Sequence, residues 1–161
     1  MEKMFNECSN LNNLNLNSFN TSNVINLSEM FNKCASLTSL DISSFDTSKV
    51  TNMSRMFASC KSLAKLDVSS FNTSNVTNME KMFSDMKNLE TIYASDNFVT
   101  TAVTNGNQMF VYDTTQPSLD APSKLKGGQG TPYNKNHLGK DYAHIDGGEN
   151  NPGYFTAKNN Q

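Results

Sequence analysis

The sequence predicts an α/β solenoid in which each repeat supplies one short parallel strand and one helix, with a small β-containing cap at the C-terminal end. Three observations carry this reading. Met4-Phe5, Met30-Phe31, Met56-Phe57 and Met82-Phe83 recur every 26 residues, and Met109-Phe110 follows after 27. Apolar residues fall in register down the repeats, in columns such as Leu11, Leu37, Leu63, Leu89 and Phe19, Phe45, Phe71, Phe98. All eight glycines lie after residue 105 and all four prolines after residue 116, so the punctuation changes where the repeats stop. A unit of this length cannot bury its own apolar side chains and must stack on its neighbours.

Within a repeat, Leu40-Asp41-Ile42 alternates with the two-residue period of a strand, whereas Val50, Met53, Met56, Phe57 and Cys60 fall at the three-and-four spacing of a helix face. Thr47-Ser48 or Thr51-Asn52 would cap that helix, and Asn26 followed by Glu29 has the form of a capping box. Parallel strands stack about 4.8 Å apart and packed helices roughly 8 to 10 Å apart, so the array should curve with its strands on the concave side. The outward strand residues would line that face: Asn13, Ser39, Lys65, Thr91; Asn15, Asp41, Asp67, Tyr93; and Asn17, Ser43, Ser69, Ser95.

The repeat array is assigned to residues 1–110 and a cap with an insertion loop to residues 111–161. A Leu follows each Met-Phe pair at a fixed distance, but after Phe110 the corresponding Leu125 comes nine residues late, which marks DTTQPSLDAPS as an insertion. Tyr142 to Ile145 alternates, Asp146-Gly147-Gly148 signals a turn, and Gly153 to Thr156 is expected to pair back as a second short strand. The opening MEKMF repeats residues 79–83, so the chain is expected to start partway through a repeat and to belong to a longer parent with flanking domains. Export signals and anchors would then be encoded outside this stretch.

The unit MF-x-x-C-x-x-L-x-x-LD-[IV]-S-x-F-x-T-S-x-V-T-N-M, nearly complete in residues 30–53 and 56–79, resembles the BspA-type leucine-rich repeat of bacterial surface proteins. The tail GGQGTPYNKNHLGKDYAHIDGGENNPGYFT, residues 127–156, resembles the segment that often closes such arrays. The resemblance implies a leucine-rich-repeat solenoid at the bacterial cell surface, extracellular and active in adhesion to host or bacterial proteins or glycans. It supplies no residue-level binding motif.

Net charge is −2, from 13 basic and 15 acidic residues spread along the chain, so no basic patch exists to attract nucleic acid or an anionic membrane. No serine has a recognisable base partner and no glycine-rich stretch links a strand to a helix, so no catalytic residue or phosphate site is assigned. His137, His144, Asp141 and Asp146 match no zinc-ligand spacing. Asp146 with Glu149, Asn150 and Asn151 offers oxygens suited to calcium, yet the same run is what a turn requires. No metal or cofactor is therefore assigned. Cys8, Cys34 and Cys60 form one column, and on successive helices they would stand too far apart to bridge, which makes them buried core thiols. The binding surface is placed on the concave face, at Ser39, Asp41, Ser43, Lys65, Asp67, Ser69, Glu90 and Tyr93, where Tyr93 is either an exposed aromatic anchor or a ring that packs against the C-terminal cap. The partner expected is a protein or glycan on a host or neighbouring bacterium; the rival reading is a spacer that displays another adhesive domain.

Overall fold

The computed structural model describes residues 1–112 and 123–158. The repeats stack in register, but the helix expected in each does not form. Among the described residues the only helical segments are two 3-10 turns in the tail, Lys140–Tyr142 and Gly148–Asn150. Regular strand is confined to β1 (Lys65–Asp67), β2 (Thr91–Ala94) and β3 (Phe155–Ala157), which form one parallel sheet in the order β1-β2-β3. The leucine-rich-repeat solenoid with one helix per repeat is thus corrected to a stack of irregular coils joined by inter-coil hydrogen bonds.

The segment read as helix explains the error. In residues 27–34 every second amide donates to the next coil: Leu27 to Asn52 O, Glu29 to Ser54 O, Phe31 to Met56 O and Lys33 to Ala58 O, at 2.8–3.0 Å. The amides of Met30, Asn32 and Cys34 close turns onto the carbonyl three residues back, those of Leu27, Glu29 and Phe31. Glu29 and Lys33 hold the third position of their turns with φ of 55° and 62°, the left-handed setting a type II turn demands. Each such turn spans four residues, so two in succession point Leu27, Met30, Phe31 and Cys34 inward at spacings that imitate a helix face.

The same geometry recurs at Arg55 and Ser59, and at Lys81 and Asp85. Asn26 is no capping box: its Oδ1 accepts the Ser28 amide at 2.9 Å in an Asx turn, and its backbone opens a ladder of parallel bridges through Asn52, Asn78 and Asn105. With no helices to force a wider spacing, the reason for a concave strand face disappears as well.

Two further columns hold the coils together. Phe5, Phe31, Phe57, Phe83 and Phe110 stack ring on ring at 5.6–6.0 Å. Thr21, Thr47 and Thr73 are buried, and each hydroxyl both donates to and accepts from the following coil. Thr47 Oγ1 donates to Asn72 O at 2.9 Å while the Asn72 amide donates back to Thr47 Oγ1 at 2.9 Å. A hydroxyl can do both, so it replaces a backbone pair where the chain turns a corner.

The cysteines are unbridged, but not for the reason of helix spacing. Cys34 Sγ donates to Phe5 O and Cys60 Sγ to Phe31 O, both at 3.1 Å, and burial pushes the Cys60 thiol up to about 12. Cys8, expected to be buried, is exposed.

The tail supplies the last coil in two pieces. Lys126 N donates to Glu90 O at 3.1 Å as Glu90 N donates to Ala64 O at 2.8 Å, so Leu125 takes the place of Leu89 in its column and is buried. The chain then departs and returns as β3, whose Phe155 pairs with Ile92. The paired tail strands expected from the alternation are replaced by this parallel strand, which Ile145 joins through a single parallel bridge to Phe155. Phe155 stands edge-on to Phe83, Phe98 and Phe110, and Tyr154 edge-on to Phe110 at 5.0 Å. Gly106 replaces the Met of its column because the Lys140 stem lies there, 2.7 Å from where a Cβ would sit.

Candidate functional site

The break between Lys126 and β3 leaves a groove of about 730 Å³ beside β2, lined by Glu90, Thr91, Tyr93, Lys124, Lys126, Thr156 and the loop Gly127–Gly130. Its floor is the outward face of β2, where Tyr93 lies between Asp67 of β1 and Thr156 of β3 in the register. Lys65 flanks the floor as the β1 partner of Thr91.

The loop wall is fixed from behind by Asp146. Its carboxylate is buried and accepts from the Gln129 amide at 2.8 Å, the Thr131 amide at 3.0 Å, the Thr131 hydroxyl at 2.7 Å and the Gly148 amide at 3.0 Å, with Gly153 N at 3.4 Å. Burial alone would raise its pKa, but these donors outweigh burial and bring it down to about 2. Gly127 passes so close that a Cβ would stand 2.2 Å from Gly153 O and 2.5 Å from Asp146 Oδ2. Asp146, weighed above as a calcium ligand, therefore has its oxygens turned to protein donors. Among the described residues no cluster of three or more His, Cys, Asp or Glu side chains is placed to hold a metal ion. No helix among them is long and apolar enough to cross a membrane.

The structure divides the residues singled out by the sequence. Glu90 and Tyr93 line the groove, and Lys65 borders it. Asp41 and Asp67 turn inward upon their own chain: Asp41 Oδ1 accepts the Ser43 amide and hydroxyl, and Asp67 Oδ1 accepts the Ser69 amide at 3.0 Å. Burial opposes the charge of Asp67, yet hydrogen bonds from Lys158 Nζ and Ser69 hold its carboxyl below the usual range. Ser69 O accepts the Ser95 hydroxyl at 2.7 Å. Ser39 and Ser43 are exposed, two coils away from the groove floor. Lys124, Lys126, Gln129 and Thr156 are the groove residues that sequence reasoning missed. The signal for the first two was present, since they flank Leu125 as Asn88 and Glu90 flank Leu89.

The charges at the groove are unequally satisfied. Lys124 Nζ lies 3.9 Å from Glu90 Oε1 and 3.4 Å from Asn88 Oδ1. The side chains of Lys65, Lys126 and Tyr93 have no hydrogen bond, ion pair or ring contact with another described residue.

A family model described as a Mycoplasma protein of unknown function, DUF285, matches residues 1–120. The chain belongs to the DUF285 family. The DUF285 match takes in Glu90, Thr91 and Tyr93 on the groove floor, and stops before Lys124, where the outer wall begins. No curated protein and no solved structure matches the chain.

Proposed function

We propose that this DUF285 chain is a non-enzymatic binding module of the bacterial cell surface, engaging a protein or glycan through the face carried by β1, β2 and β3. The observation that carries this reading is the interrupted last coil: the stack is regular until it reaches Lys126, and the break opens a groove under Tyr93. A half-buried aromatic ring with no ring contact among the described residues, set among polar groups, is a common anchor in recognition surfaces. The sequence resemblance to BspA-type surface proteins supports the extracellular location and adhesive role.

The test is attachment of the purified chain to host matrix proteins, bacterial cells and a glycan array, repeated with Tyr93→Ser and Lys65→Ser. Loss of attachment with an unchanged melting temperature is the expected result. A parent chain that attaches to nothing would favour the second reading, a spacer, which has its own support in the hydrogen-bond ladders running from coil to coil.

A further inference from the structure

Accepting the binding role proposed above, we infer that the groove beside β2 takes an acidic oligosaccharide, with a sugar ring on Tyr93 and a sugar carboxylate held by Lys126 and Lys65. The backbone around the groove is already committed. The carbonyls of Glu90, just before β2, and of Ala94 at its end accept the amides of Lys126 and Lys158, and β2 lies between β1 and β3, so it has no open edge for an added peptide strand. Among the described residues the groove walls contain no Leu, Ile, Val, Met or Phe, so those walls offer an apolar peptide side chain no pocket.

The glycine loop does not form an anion nest either. Gly127 donates to Thr131 O, and Gln129 and Thr131 donate to Asp146, so its amides point away from the groove. A compact multivalent anion such as phosphate therefore lacks its usual cradle.

What the groove does offer matches a sugar. The Tyr93 ring supplies a flat face for the C–H side of a pyranose, and the Thr91 and Thr156 hydroxyls and the Gln129 amide supply donors and acceptors for its hydroxyl groups. Lys126 runs its stem along Gly130, 3.7 Å from where a Cβ would sit, and its ammonium has no acidic partner among the described residues. Lys65 stands on the other side of Thr91 in the same condition. Glu90 and Asp67, the nearby acids, are matched by Lys124 and Lys158. Among the described residues the charge left without a partner beside the groove, on Lys65 and Lys126, is positive, and it flanks the aromatic floor.

The experiment is titration of the chain with a hexasaccharide of alternating uronic acid and N-acetylhexosamine, with its carboxyl-reduced counterpart, with a sialylated trisaccharide and with an acidic peptide of equal charge. One of the two acidic glycans should bind, and carboxyl reduction or desialylation should weaken it at least about tenfold. Lys126→Gln and Tyr93→Ser should each weaken that binding by about tenfold or more without moving the melting temperature, and raised salt should weaken the parent. Equal or tighter binding of the acidic peptide would overturn the inference in favour of a protein partner. Attachment to a protein that responds to Tyr93→Ser, with no acidic glycan bound, would overturn it while leaving the binding role standing. A chain that binds none of the probes and attaches to no cell or matrix would overturn both.

Discussion

In the first coil Phe5, Leu11, Leu14, Phe19 and Val24 are only half-buried, and Met4 is 46% exposed. At the other end Val103, Met109, Phe110 and Leu125 occupy corresponding columns and are at most 4% exposed. The residues are of the same kinds, and those at the far end are covered by the tail. Burial in this chain is conferred by the neighbouring coil, and the tail provides that neighbour with aromatic rings in place of a repeat. Tyr133, Tyr142, Tyr154 and Phe155 pack in a continuous aromatic cluster over Phe110.

The sharpest way to break this comparison is to remove one ring of the stack at each kind of site. Phe57→Ala, between Phe31 and Phe83, should cost about 3–5 kcal/mol in denaturant unfolding, whereas Phe5→Ala in the first coil should cost roughly 1–2 kcal/mol. Equal losses would mean that burial does not depend on the neighbour.

Next in size is Asp146→Asn, which removes a charged acceptor shared by the loops of the cap and should cost about 2–3 kcal/mol. The same carboxylate makes the cap acid-sensitive. Its folded pKa, about 2, lies below the ordinary value near 3.8, so its contribution is full above about pH 4 and is lost as the pH falls toward 2. Amide exchange at Gln129 and Thr131 should accelerate over that window more than exchange at Phe31 or Phe57. Uniform acceleration along the chain would refute a cap held by this group.

Thr47→Val should cost about 1–2 kcal/mol, because the Asn72 amide and carbonyl would both lose their partner in a part-buried setting. Thr47→Ser should recover most of that loss, and a Val variant as stable as the parent would remove the hydroxyl ladder from the account. Arg55→Asn should have a small positive effect, on the order of 0.5 kcal/mol, since Asn tolerates a φ of 53° better and the Arg55–Glu80 pair at 3.9 Å is exposed. A drop in melting temperature would show that the long side chain matters more than the backbone setting. Finally, native protein should expose Cys8 to a thiol reagent while Cys34 and Cys60 react only on unfolding. Rapid labelling of Cys34 would mean that the first coil frays as far as the second.

The inward positions were legible because burial repeats with the sequence: Leu63, Phe71, Val76, Met82 and Phe83 are all at most 3% exposed. What those positions do between one another was not legible. Two consecutive turns with left-handed third residues and a helix both place apolar groups at spacings of three and four, and side-chain pattern cannot separate them. Glycine would have betrayed the turns, but the chain puts Glu29, Lys33, Arg55 and Lys81 there instead, residues that favour helices. The strand side was clearer: the Leu-x-x-Leu register puts Lys65 and Tyr93 at strand positions, and they stand in β1 and β2. The groove was hidden because half of its wall comes from residues 124–130, which reach β2 only through the long excursion between Lys126 and Phe155.

The hydrogen-bond ladders also bear on how such a chain changes length. Removing residues 53–78 would join Asn52 to Met79, the same Asn-Met junction that the intact chain has at Asn52-Met53 and Asn78-Met79. Every ladder would find its partner again one coil along. Ser39 would then lie beside Thr91 where Lys65 lies now, and Asp41 would replace Asp67 beside Tyr93. Recombination between repeats would thus be structurally silent in the core while exchanging the side chains that border the groove. A lineage could shuffle its recognition surface by copying and losing whole coils, with no new point mutation and no new fold.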